Sequence, residues 1–243
     1  MLARRLGLCS TTLSTSVSRA ACGLRKPNSN WDIYRRALSP NLLATHTQRM
    51  PLITISAALT EGFKKHEIVP DVIDEFDPNT LLEITYGGEN VVAVGNSLAV
   101  ADTQHRPTIH ASFPKDTQGT YTLVLTDPDA PSRTDTKWSE YCHYVVSGLK
   151  PGVVAEAEGA AVELDLSKGK ELIPYMGPGP PAKTGKHRYV FVLYKEGSKT
   201  PEAPTDRPCW GTNVPGSGTR EWAKKNDLTL VTSNFFFAQN LEQ

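Results

Sequence analysis

Apolar residues fall along much of this chain in short runs of period two, broken by Gly and Pro. Leu81–Tyr86 alternates as a strand, Gly87-Gly88 turns it back, and Val91–Val94 reads as a second short strand. Ile109–Phe113, Tyr121–Thr126, Cys142–Val146 and Ala160–Asp165 continue the series, and Arg188–Tyr194 is almost wholly apolar. Helical spacing appears in two places. Leu59 and Phe63, four apart, predict a short amphipathic helix over 51–66, closed by Pro70. Thr219–Asn226 reads as a second helix, followed by a last strand over Thr229–Gln239. Residues 196–218, rich in Pro, Gly and Ser, read as a surface loop. Short strands separated by turn residues predict a mainly β fold, an antiparallel β-sandwich with a few short peripheral helices.

The run Tyr121–Thr126 is β-branched and apolar, so it reads as buried, yet it leads directly into Asp127-Pro128-Asp129-Ala130-Pro131-Ser132-Arg133. Neither proline donates to a ladder, so pairing stops there, and each pushes the preceding residue towards an extended conformation. A cis bond is expected at Ala130–Pro131, because such bonds occur almost only before proline in tight turns. A stiff acidic turn at the end of a core strand suits a ligand pocket better than a plain connection. Asp129 and Arg133 either pair with each other or cap this turn.

The charge is zero over the whole chain, but residues 1–49 carry +7 and residues 50–243 carry −7. The acidic balance of the larger part argues against nucleic acid as a partner. Residues 1–30 hold five Lys/Arg, eight Ser/Thr and no acid, the composition of a mitochondrial transit peptide. The organisation expected is a basic leader over 1–49, either a transit peptide or disordered, and one domain over 50–243. Met50 directly precedes Pro51-Leu52-Ile53, so a start there would place the protein in the cytoplasm rather than the mitochondrion. No stretch approaches transmembrane length. Cys142 and Cys209 lie far apart with no paired metal spacing and read as reduced thiols.

Three further stretches accompany the acidic turn in order: Trp138–Val146, Tyr175–Tyr189, and Arg220–Ala223 with Ser233–Gln239. Together they resemble the signatures of the phosphatidylethanolamine-binding protein (PEBP) family, which includes the Raf kinase inhibitor proteins and the fungal carboxypeptidase Y inhibitor. The resemblance covers roughly residues 52–240. It implies a small pocket for phosphate-type head groups, bound by Asp127, Pro128, Ala130, Pro131, Trp138, His143, Gly177, Gly179, Pro181, His187 and Tyr189. Trp138 stands where the family often has Tyr, Tyr141-Cys142 replaces a frequent Trp-His pair, and Pro178 separates the two glycines.

The residues support the same chemistry. His187 and Tyr189, two apart on one strand, face the same side, and Asp127 is placed to set the tautomer of a neighbouring imidazole. Two histidine donors and a phenol suit an anion such as a phosphate monoester. Gly177 and Gly179 allow close backbone approach to a ligand, and Trp138 reads as a pocket wall or a core aromatic.

The function expected is non-enzymatic: a binding protein for a small anion or phospholipid head group, with no cofactor. The resemblance points to a carboxypeptidase Y-type serine carboxypeptidase as partner, and with less support to a kinase or Ras-pathway protein. Two other readings compete. Two His and one Asp are the elements of a facial metal triad, which would make an enzyme. A PEBP-like subunit of the mitochondrial ribosome would fit the basic leader. There is no Gly-x-Ser-x-Gly elbow and no His-Glu-x-x-His.

Overall fold

The structure, a computed structural model, describes residues 52–114, 117–152 and 161–242. The leader and the start at Met50 lie outside the described residues. The chain begins with helix α1 (Leu52–Lys65), a single turn α2 (Ile68–Asp71), and strands β1 (Leu81–Tyr86), β2 (Asn90–Val91), β3 (Asn96–Ser97) and β4 (Thr108–Ser112). Strands β5 (Tyr121–Asp127), β6 (Tyr141–Leu149), β7 (Ala161–Glu163), β8 (Lys170–Ile173) and β9 (Lys186–Glu196) follow, then helix α3 (Thr219–Lys225) and strand β10 (Leu228–Gln239).

The strands form two sheets, one in the order β2-β1-β4-β7 and one in the order β3-β10-β9-β5-β6-β8. Among the described residues all pairings are antiparallel except β3 on β10, which is parallel over two residues. The predicted sandwich is therefore the observed one. Its core combines Ile84, Ile109 and Tyr86 of the small sheet with Leu123, Leu125, Phe191, Leu193 and Phe236 of the large one. Burying each such aliphatic or aromatic side chain contributes about 1.5–3 kcal/mol.

Strand β5 is buried at all seven positions. It lies between β6 and β9, so both its edges are paired, and side chains cover its outer face as well as its inner one. Thr122 on that outer face donates to Glu196, and Thr126 accepts from the Trp210 indole, which packs on Trp222 of α3. Both faces of the strand being covered accounts for the near-continuous apolar run.

Several boundaries differ from expectation. The first helix ends at Lys65, and Glu67 turns the chain in the left-handed region (φ 57°), so Pro70 does not close it. Pro70 sits inside the α2 turn instead. Of the expected strand Val91–Val94 only Val91 is in a ladder, because Val94 takes φ 36° and Gly95 φ 89° to bring the chain beside β10. Strands β3 and β8 carry no apolar alternation: one pairs through two polar residues and the other is an edge with Lys170 and Glu171 exposed.

Candidate functional site

Strand β5 ends at Asp127, and the next residues turn through a cis Ala130–Pro131 bond, as expected. Asp127 Oδ1 accepts from the Asp129 amide at 2.8 Å, so the acid locks its own turn. Its Oδ2 lies 2.8 Å from His187 Nδ1 on β9. Tyr189 follows on the same face, its ring stacked on His187 at 6.4 Å and edge-on to His143 of β6 at 5.2 Å. These four residues are all nearly inaccessible, from 1% to 5% exposed, so their partners decide what they offer a ligand.

They surround a cavity of about 190 Å³. Of the eleven expected residues, Asp127, Ala130, Pro131, Trp138, His143, Gly177, Gly179, Pro181, His187 and Tyr189 line it. Pro128 does not; it is buried in the turn, with a structural place rather than one facing the cavity. Tyr141, Met176 and Pro180 also line it and carry no signal of their own in the sequence beyond lying inside the motifs. Trp138 is 45% exposed at the cavity, a wall rather than a core aromatic. A larger concavity of about 1020 Å³ runs along α1 between Ser56 and Asn79, but among the described residues its lining holds no His, Cys or aromatic residue.

The two glycines differ in their surroundings. A Cβ at Gly177 would come within 2.8 Å of the Thr103 carbonyl, so this glycine serves packing against residues 103–104 rather than approach to a ligand. A Cβ at Gly179 would meet nothing within 4 Å.

Hydrogen bonding changes the picture of two histidine donors. His187 Nε2 lies 2.9 Å from the Thr184 hydroxyl, and that hydroxyl donates to the Pro181 carbonyl at 2.8 Å. Both His187 nitrogens are thus engaged by the protein. His143 Nδ1 lies 2.9 Å from the Met176 carbonyl, leaving Nε2 as its remaining nitrogen. Burial lowers the His143 pKa; Asp127 opposes this. Burial pushes the Tyr189 phenol far up, with Asp127 acting in the same direction and the Gly179 amide against it. Both rings are therefore neutral at pH 7.

Behind the cavity lies a second acid–base pair. Arg188 points to the opposite face of β9 and grips Asp129 with Nη2 at 2.7 Å from Oδ1 and Nε at 3.0 Å from Oδ2. Its Nη1 donates to the carbonyls of His66 and Glu67 and to Asp71. Arg133 does pair with Asp129, at 3.3 Å, and with Glu67, but it is 42% exposed and secondary to Arg188. Arg207, from the long loop, supports β6 from its carbonyls: Nη1 binds those of Cys142 and His143, and Nη2 that of Pro174. Nothing in the loop composition marks Arg207 out; Arg188 is signalled by the alternation of β9.

Among the described residues Glu140 is the remaining buried acid, joined to Ser139 by a cis bond. Its Oε2 accepts from Thr126 and from the Thr219 amide, both neutral donors, and burial raises its pKa to about 8. Cys142 and Cys209 are free and buried.

Comparison with known proteins agrees with this fold. The family model for phosphatidylethanolamine-binding protein matches residues 73–236. The carboxypeptidase Y inhibitor of Saccharomyces cerevisiae is 39% identical over 213 residues, 77% of this chain and 97% of the yeast protein. Over 76% of this chain and 96% of the other, the fold superposes with a TM-score of 0.70 and 40% identity on a carboxypeptidase Y inhibitor solved in complex with its cognate proteinase. A phosphatidylethanolamine-binding protein from Plasmodium vivax shares the fold at 24% identity and a TM-score of 0.60, covering 74% of this chain and 97% of that one.

Proposed function

The chain belongs to the phosphatidylethanolamine-binding protein family, and from that premise we propose that it is a non-enzymatic inhibitor of a carboxypeptidase Y-type serine carboxypeptidase that also holds a phosphate-type anion in the Asp127–His187 cavity. One observation carries the inhibitor reading: 39% identity spans 97% of the yeast carboxypeptidase Y inhibitor, so the likeness is to that whole protein and not to a shared fragment. The anion reading rests on the cavity of about 190 Å³, which brings Asp127, His143, His187 and Tyr189 together and is of head-group size. The size limits the ligand to a head group or smaller; an acyl chain must stay outside.

The hydrogen bonds speak against the facial metal triad. His187 has both nitrogens engaged, by Asp127 and Thr184, so a metal would have to break one of these bonds. Titrating purified carboxypeptidase Y with this protein, with hydrolysis of a chromogenic peptide as readout, tests the inhibitor reading. Stoichiometric loss of hydrolysis is the expected result; full activity at a large excess of this protein would refute it.

A further inference from the structure

We propose that Arg207, which does not line the cavity, supplies the positive charge for an anion held there, and so is a positioning residue for the phosphate-type head group. This rests on the anion-pocket reading above and adds to it where the charge comes from.

The cavity brings no permanent cation of its own. Among the described residues neither Lys nor Arg lines it, and its floor holds a carboxylate, Asp127. An anion entering such a site needs a positive charge close behind the wall. Five arginines fall among the described residues, and four of them are committed to carboxylates. Arg106 pairs with Glu171, Arg133 with Glu67 and Asp129, Arg188 with Asp129 and Asp71, and Arg220 with Asp74. Arg207 is the exception: among the described residues its guanidinium is bonded to carbonyls, those of Cys142 at 3.0 Å, His143 at 3.1 Å and Pro174 at 2.8 Å. Asp206, beside it in sequence, turns a carboxylate oxygen to the Arg207 backbone amide instead, at 2.7 Å. Carbonyls satisfy the guanidinium hydrogens but cancel no net charge, so the field of Arg207 is left for a ligand to answer.

That field is held in place beside the cavity. The Arg207 carbonyl accepts from the Cys142 amide at 3.0 Å, and the Cys209 amide donates to the Trp138 carbonyl at 3.1 Å, so the loop is sewn to β6 and to the segment before it. The His143 carbonyl that Arg207 grips also accepts from the Met176 amide at 2.9 Å, and the His143 ring meets the Met176 carbonyl. His143 and Met176 both line the cavity, so the guanidinium lies directly behind its wall. Burial lowers the His143 pKa, and Arg207 adds to that against the pull of Asp127. A cation that disfavours an imidazolium at this wall favours an anion in front of it. The field acts on any phosphate oxygen, so a diester head group gains from it as a monoester does.

Calorimetric titration of the full chain at pH 7 tests this with two probes, phosphorylethanolamine, a monoester, and glycerophosphorylethanolamine, the diester of a lipid head group. Wild type is compared with Arg207→Gln, which keeps an amide donor and loses the charge, and with Arg207→Lys, which keeps the charge and loses the planar fork. Arg207→Gln is expected to bind roughly 10-fold more weakly than wild type, and Arg207→Lys within about 3-fold of it. The gap between wild type and Arg207→Gln should narrow as ionic strength rises, which the loss of a mere strut would not do. Binding of the diester marks a lipid head group as the source of the phosphate, and binding of the monoester alone a free phosphate ester; the Arg207→Gln loss upholds the inference in either case. Equal affinity in wild type and Arg207→Gln, or an equal loss in both variants, overturns the role of charge while the pocket reading stands. If wild type binds neither ester, the pocket reading fails, and this inference with it. Should Arg207→Gln not fold, Arg207→Lys decides alone: affinity within about 3-fold of wild type upholds the role of charge, and a loss of roughly 10-fold overturns it.

Discussion

His187 and Arg188 are neighbours in sequence and opposites in use. Each meets an acid of the same turn, His187 with Asp127 at 2.8 Å and Arg188 with Asp129 at 2.7 Å, on the two faces of β9. The arginine pair is a clamp: a permanent cation and a buried carboxylate, joined through several bonds and continued to His66, Glu67 and Asp71. It fixes the turn to the segment after α1. The histidine pair borders the cavity, and its ring is held by one bond on each side. Two basic residue types adjacent in sequence thus become a structural bond on one face and part of a candidate binding floor on the other. The third buried acid, Glu140, shows what happens with neutral donors alone: burial wins and the carboxyl is held protonated to about pH 8.

The largest effect is expected on the clamp. Arg188→Met leaves Asp129, 1% exposed, with the backbone amide of residue 188 and the half-exposed Arg133 as its only cation, and should destabilise the fold by about 3–5 kcal/mol in denaturant unfolding. A loss below about 1 kcal/mol would show that Arg133 can replace it.

Glu140 sharpens the contrast through pH. Its folded pKa, about 8, lies above its ordinary value of 4.5, so the folded state holds the extra proton and stability falls as pH rises between those values. Glu140→Gln should match wild type near pH 4 and exceed it at pH 8 by on the order of a few kcal/mol. Parallel stability curves across that range would mean the carboxyl is ionised in the fold.

His187→Ala comes next. It removes one donor from Asp127, which keeps the Asp129 amide, and should cost about 1–3 kcal/mol. A cost equal to that of Arg188→Met would erase the distinction between the two faces. Tyr189→Phe should be mildest, about 0.5–1.5 kcal/mol, because the ring still stacks on Phe236 at 5.4 Å and only the hydroxyl is lost. Thermal unfolding resolves this from zero.

Much of the molecule was legible in the order of residues alone. Alternation located β1, β5, β6, β9 and β10, because a strand buried on one or both faces must repeat with period two or run apolar. The acidic turn stood out because carboxylates and prolines directly after a buried strand have no place in a ladder, and spacing put His187 and Tyr189 on one side of β9. Strands β3 and β8 were not legible, since a polar edge pairs through backbone groups that every residue has.

What the tertiary structure decided is who bonds to whom. The residue types Asp, His and Tyr suit an anion site, but whether a donor is available depends on atoms brought close from elsewhere in the chain: the Met176 carbonyl 33 residues from His143, and Asp127 60 residues from His187. The same holds for Gly177, whose missing side chain answers to the Thr103 carbonyl, and for Pro128, which the turn carries away from the cavity. Hydrogen bonds act over about 3 Å and are directional, so side-chain chemistry can be read from sequence while its commitment to a partner cannot.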